Sequence, residues 1–163
     1  MTVLSMLGYG QTVIDASSTT TKKEKGIEKT IYQEKPFTGI LTRTFANGKP
    51  KSWTTFEDGL PSGLWQEWYE NGKLKFNAYW SKGKGHGLWE YYHENGVLRQ
   101  EEFYIMDAPT GVHRVFYNNG KLKYKAIWLN GKKEGTWTYF DEAGVVTKTE
   151  TYVAGVLIPA KEK

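Results

Sequence analysis

The stretch "SGLWQEWYENGKLKFNAYWSKGKGHGLWEYYHENG", Ser62 to Gly96, writes the phrase Gly-Leu-Trp…Tyr…Glu-Asn-Gly and then begins it again 24 residues later. The displacement holds over most of the chain. Gly39, Gly63, Gly87, Gly111 and Gly135 are spaced by 24, and Gly48, Gly72, Gly96, Gly120 and Gly144 follow each of them by nine. Asn47, Asn71, Asn95 and Asn119 precede the first four of that second column. A third column, Gly59, Gly83, Gly131 and Gly155, is broken once by Asp107. Three glycine columns in one register, without an insertion, define a repeat array of five units.

Composition agrees with an array. Of 163 residues 39% are hydrophobic and 15% aromatic, so the burying groups are large rings with polar tips, suited to a thin sheet. Cysteine is absent, which excludes disulfides and thiolate metal sites. There is no apolar run long enough for a spanning helix.

Each unit reads as one β-hairpin. "GLWQEWYE" and "KLKFNAYW" flank Asn71-Gly72, a dipeptide suited to the two positive φ angles of a type I′ turn, and the glycine-rich "SKGKGHG" leads to the next hairpin. The expected fold is all-β, a single-layered antiparallel meander of consecutive hairpins. A two-residue turn sets Tyr69 opposite Leu74, Glu67 opposite Phe76, Trp65 opposite Ala78 and Gly63 opposite Trp80 on one mostly apolar face. Through the array this face stacks Trp65, Trp89, His113 and Trp137; Tyr69, His93 and Tyr117; Leu74, Leu98, Leu122 and Val146; and Trp80, Tyr104, Trp128 and Tyr152. Gly63, Gly87 and Gly111 then read as bare floors beneath the last rings.

"WSKGKGHGLW", Trp80 to Trp89, resembles the MORN repeat, and "YENGKLK" and "YNNGKLK" look more specifically like the bacterial MORN variant of the YwqK family of antitoxins. The resemblance runs from about Phe37 to Gly155. It implies a hairpin array used as a scaffold for protein contacts, with toxin neutralisation as the alternative and lipid-headgroup binding as the remotest of the three. The third unit departs from the pattern at "IMDAPTG", where Asp107 and Pro109 stand in the Gly-Lys step. The fifth decays after Gly155.

The division expected is a leader or arm over 1–24, a capping half-repeat over 25–36, five repeats over 37–157 and a tail over 158–163. "MTVLSMLGYGQTVIDASS" resembles the apolar and cleavage regions of a secretory signal without its basic start, or else is a disordered or strand-like arm. The first reading implies a secreted or periplasmic protein, the second a cytoplasmic one. Tyr32 falls in the column of Trp80, so residues 25–36 are expected to cap the first sheet edge, while Pro159 discourages pairing at the other.

His86, His93 and His113 show no ligand spacing, and "SKGKGHG" is followed by a strand rather than the helix a phosphate loop requires. Neither catalytic residues nor a metal or cofactor are expected. Nucleic acid is argued against by charge. Successive units from Thr38 carry bases against acids of three to two, four to two, one to five, six to none and one to four, so no face keeps one sign. The alternation disfavours mispairing of similar hairpins and fits a monomer. The expected partner is another protein, and the candidate surface is Trp65, Trp89 and Trp137 with Tyr69 and Tyr117 on the same face.

Overall fold

A computed structural model describes residues 11–159. Fifteen strands follow in chain order: β1 (Val13–Asp15), β2 (Thr20–Glu24), β3 (Ile27–Tyr32), β4 (Lys35–Pro36), β5 (Gly39–Thr44), β6 (Pro50–Glu57), β7 (Leu60–Trp68), β8 (Leu74–Ser81), β9 (Lys84–Tyr92), β10 (Leu98–Ile105), β11 (Ala108–Phe116), β12 (Leu122–Leu129), β13 (Lys132–Phe140), β14 (Val146–Val153) and β15 (Val156–Ile158). From β5 to β15 each strand pairs antiparallel with the next in one sheet, so the expected meander of consecutive hairpins is the fold of the repeats.

The N-terminal end is built differently. Strands β2, β3 and β4 form a separate three-stranded sheet, so residues 25–36 do not extend the main one. The first edge is taken instead by β1, which lies parallel to β5 with Ile14 opposite Leu41. Between the two sheets' residues, Phe37, Leu41 and Phe56 form a buried cluster, with Tyr32 and Ile14 packed on it. The leader reading falls largely on residues 1–10, outside the described residues, as does the end of the tail at residues 160–163. At the far edge β15 pairs with β14, so Val156–Ile158 does add a strand before Pro159.

The turns are exchanged relative to expectation. At Tyr69–Lys73 the Gly72 N–H donates to the Tyr69 carbonyl at 2.9 Å and the Tyr69 N–H to the Lys73 carbonyl at 2.8 Å. Gly72 has φ +85° while Asn71 is not left-handed, so this is a type I turn closed by a glycine bulge, a three-residue loop. The Asn71 side chain sets that geometry. Its Oδ1 accepts from Lys73 N at 2.9 Å, and its Nδ2 donates to the Glu94 carbonyl of the next repeat at 3.0 Å. The type I′ turns lie at the opposite edge, where Lys82 and Gly83 have φ +49° and +78°. "SKGK" is therefore itself a hairpin turn, and its Gly83 N–H donates to the Pro61 carbonyl one repeat back at 2.7 Å.

A three-residue loop shifts the pairing by one, so Trp68, not Tyr69, stands opposite Leu74. Leu74, Leu98, Leu122 and Val146 thus pair with Trp68, Tyr92, Phe116 and Phe140, and leave the ring face. Lys75 is then passed over as a bulge, which restores Glu67 opposite Phe76, Trp65 opposite Ala78 and Gly63 opposite Trp80. The irregular third unit keeps its turn. Met106 and Asp107 hold φ +51° and +72°, and the Asp107 carboxylate accepts from the Gly85 N–H at 2.7 Å, which offsets the absent glycine.

Two substitutions separate these turn assignments. Lys82→Asn, which suits a left-handed first turn position, is expected to raise stability by about 0.5 kcal/mol. Asn71→Gly, harmless in a type I′ turn, is expected to lose about 1 kcal/mol through its two hydrogen bonds. Urea unfolding of both variants is the measurement, and a neutral Asn71→Gly with a damaging Lys82→Asn reverses the assignment.

Candidate functional site

The ring face of the sheet is organised by two columns that interleave. Trp65, Trp80, Trp89, Tyr104, His113, Trp128, Trp137 and Tyr152 follow one another as a single ladder, with successive ring centroids 5.6, 4.9, 4.8, 5.8, 5.9, 5.3 and 5.3 Å apart. These separations are those of attractive tilted ring pairs. Beneath the ladder Ala78 and Ala126 are completely buried, because only a methyl fits between backbone and rings.

Glycine serves the ladder at one place not expected. A Cβ on Gly85 would lie 2.8 Å from the Trp89 ring, so Gly85 is the floor of that tryptophan. Gly87, expected as a floor, has φ +90° and sits in a bulge where Tyr79 alone opposes residues 86–88. A side chain there would meet Tyr79 at 3.2 Å, not the ladder. The same bulge leaves Tyr79 without a partner in the β8–β9 ladder, and the Trp89 Nε1 donates to its carbonyl at 3.0 Å. Trp137 repeats the bond to Ile127 at 3.1 Å.

The five residues singled out in the sequence therefore separate into two groups. Trp65, Trp89 and Trp137 are members of the ladder, where Trp137 is only 7% exposed and Trp65 and Trp89 are half-buried against neighbouring rings. The Trp65 and Trp80 indole N–H groups are buried without a partner among the described residues. Tyr69 and Tyr117 lie at the loop edge, where their hydroxyls donate to the Tyr92 and Phe140 carbonyls of the next repeat at 2.7 and 2.8 Å. His93 occupies the same place, its Nε2 3.2 Å from the Phe116 carbonyl.

Between ladder and loop edge run two shallow depressions. One is lined by Glu67, Tyr69, Lys75, Phe76, Tyr91 and Arg99. The next, one repeat on, is lined in part by His93, Arg99, Val115, Tyr117 and Lys123. The cations come from the bulge column, which no reading of the sequence singled out. Lys51, Lys75, Arg99 and Lys123 are each the residue passed over in pairing, which turns them onto the ring face. The Arg99 guanidinium lies 5.5 Å from the Tyr91 ring centre and the Lys123 ammonium 5.5 Å from that of Tyr117. The signal was present as a base at every twenty-fourth position, in "KSW", "KFN", "RQE" and "KYK".

The third repeat places ionisable groups in the ladder itself. His113 is 4% exposed where other repeats have tryptophan, and its Nδ1 faces Glu102 Oε1 at 3.6 Å. The Tyr104 hydroxyl donates to Glu102 Oε2 at 3.0 Å. Burial raises the Glu102 pKa, but hydrogen bonds from His113, Tyr104 and Gln100 outweigh it and hold the carboxyl below its ordinary value. Burial and the Glu102 charge push the Tyr104 phenol up. No group of three or more potential metal ligands exists among the described residues.

Four consecutive stretches, residues 61–82, 85–106, 109–130 and 133–154, match the family model described as MORN repeat variant, and together they make up more than half of the chain. No curated protein matches the chain.

Trp89→Ala is expected to cost about 3 kcal/mol of folding stability, as truncation of a packed ring does, whereas Tyr79→Ala on the open face costs less than about 1. Equal losses in urea would place Trp89 outside the core. Because the folded Glu102 pKa is depressed, its stabilisation is complete above its unfolded value near 4.5 and is lost as pH falls through the lower folded one. Glu102→Gln is expected to flatten the fall in melting temperature over that acidic window, and an unchanged pH profile would remove Glu102 from it.

Proposed function

This chain belongs to the MORN repeat variant family, and on that premise we propose that it is a non-catalytic repeat scaffold holding another protein on its ring face. The observation that carries the reading is the pair of depressions sharing Arg99, in which a cation lies beside aromatic rings once per repeat. Exposed aromatic surface with cations at its rim is what protein recognition commonly uses. Packing ties the ladder tryptophans down, so the contact surface is the strip beside them, which keeps Tyr69 and Tyr117 and adds Phe76, Tyr91, Lys75, Arg99 and Lys123.

The spacing of the cations supports one kind of partner. Two strands per repeat advance the array by about 10 Å, the length of about three residues of extended chain. A segment in the polyproline II form, with three residues per turn and a carboxylate at every third residue on one side, therefore meets one cation per repeat. Such a segment on a toxin domain falls within this class, which is how the antitoxin alternative enters.

The test is fluorescence anisotropy with two labelled peptides of one composition, acidic at every third position or with the acids clustered. The spaced peptide is expected to bind at least tenfold more tightly to wild type, and Arg99→Glu to abolish the preference. Binding that increases at high salt, or ignores Arg99, sinks the reading.

A further inference from the structure

The face opposite the rings carries two rows of side chains with an order of their own. In the first row Asn77, Glu90, Glu101, Arg114, Lys125 and Thr138 come one from each of β8 to β13, each opposite its neighbour in register. The order of charge is neutral, acid, acid, base, base, neutral. Two residues along each strand, the second row reads Tyr79, Leu88, Phe103, Val112, Ile127 and Thr136. Four of these large apolar groups stand open, with exposures of 49% for Tyr79, 38% for Leu88, 41% for Phe103 and 39% for Val112. An apolar stripe bordered by such a charge row is an interface waiting for a cover.

The charge row is its own complement about one line, that between β10 and β11. We propose that this face is covered by a second copy of the chain, related by a two-fold axis parallel to the strands and passing between β10 and β11. That axis places Glu101 against Arg114 of the second copy and Glu90 against its Lys125. In the apolar row it places Phe103 against Val112 and Leu88 against Ile127, and the neutral Asn77 meets Thr138. The other two-fold axis in the plane of the sheet, across the strands and along the charge row, sets each charge of that row on its own equivalent. Glu90 would then meet Glu90 and Arg114 meet Arg114, so like charges exclude it. The interface is isologous, and sheets stacked this way lie about 10 Å apart.

Six strands spaced by about 4.8 Å, covered over about six residues each, present about 600 Å² per copy. That is the lower bound for a specific interface, so the pair is expected to dissociate in the micromolar range. The dimer leaves both ring faces pointing outward, and it stands or falls independently of what those faces bind.

The experiment is sedimentation equilibrium of the full chain from about 1 μM to 500 μM at low salt, with charge-reversed variants. Glu90→Lys alone puts two lysines together across the axis, and Lys125→Glu alone puts two glutamates together. Each is expected to weaken the dimer at least tenfold while melting as a folded protein. Mixed one to one, the two variants make both cross-axis pairs attractive again, so a heterodimer is expected from two species that are monomeric apart. Phe103→Lys, at the centre of the stripe, is expected to be monomeric in every mixture. A wild type that stays monomeric at 500 μM, single variants that dimerise like wild type, or a mixture that stays monomeric each overturns the proposal.

Discussion

A sheet one layer thick has no opposing layer to bury its apolar face, and the ring ladder is what replaces that layer here. A ring pair contributes about 0.5 to 1.5 kcal/mol beyond its burial. The seven successive contacts of the ladder therefore supply about 5 kcal/mol, comparable with the whole stability of a small domain. The columns must then stay in step, because a ring displaced by one pleat faces the other side of the sheet. This explains why the repeat length does not vary, and why the residues beneath and beside the rings are Ala78, Ala126 and Gly85 rather than anything larger.

Step is kept from both edges. At one edge the loop side chains reach forward, Asn71 to the Glu94 carbonyl and Tyr69 to that of Tyr92. At the other the turn N–H groups reach back, Gly83 to Pro61 and Gly131 to Pro109. Each repeat is thus bonded to its neighbours by groups outside the strand ladder, and stability passes from unit to unit as in other one-dimensional arrays. Where a repeat lacks the usual residue, another performs the same bond. Ala143 has no amide, and the Asp141 carboxylate accepts from the Val145 N–H instead.

The same registration divides the two surfaces. Bulged residues carry cations onto the ring face beside the tyrosines, while strand-centre residues build the apolar stripe and charge row on the other. The alternating charge of the repeats, which the sequence suggests is a guard against mispairing, also gives the second face its self-complementary order. One pattern serves both ends, because a charge that rejects the wrong neighbour within the sheet selects the right one across it.

From its sequence alone the chain is legible as an array of hairpins with 24-residue period, and the register Gly63 to Trp80, Trp65 to Ala78 and Glu67 to Phe76 follows from counting. That register holds although the turn type does not. The real loop is one residue longer than a type I′ turn, and the bulge at Lys75 takes that residue up again. Periodicity and pairing parity are properties of spacing along the chain, so they are written in the sequence. Three features were decided by tertiary structure: the turn conformation, the face of Leu74 and Lys75, and the tying of Trp89 to a carbonyl. Each depends on which hydrogen-bond partner a neighbouring repeat or strand presents. Asn71 prefers a right-handed backbone once Glu94 is there to receive its amide, and the Trp89 ring is tied down once the bulge at Gly87 frees the Tyr79 carbonyl. The charge row has the same origin, for Glu90, Glu101, Arg114 and Lys125 are scattered in the chain and become a row when four strands lie side by side.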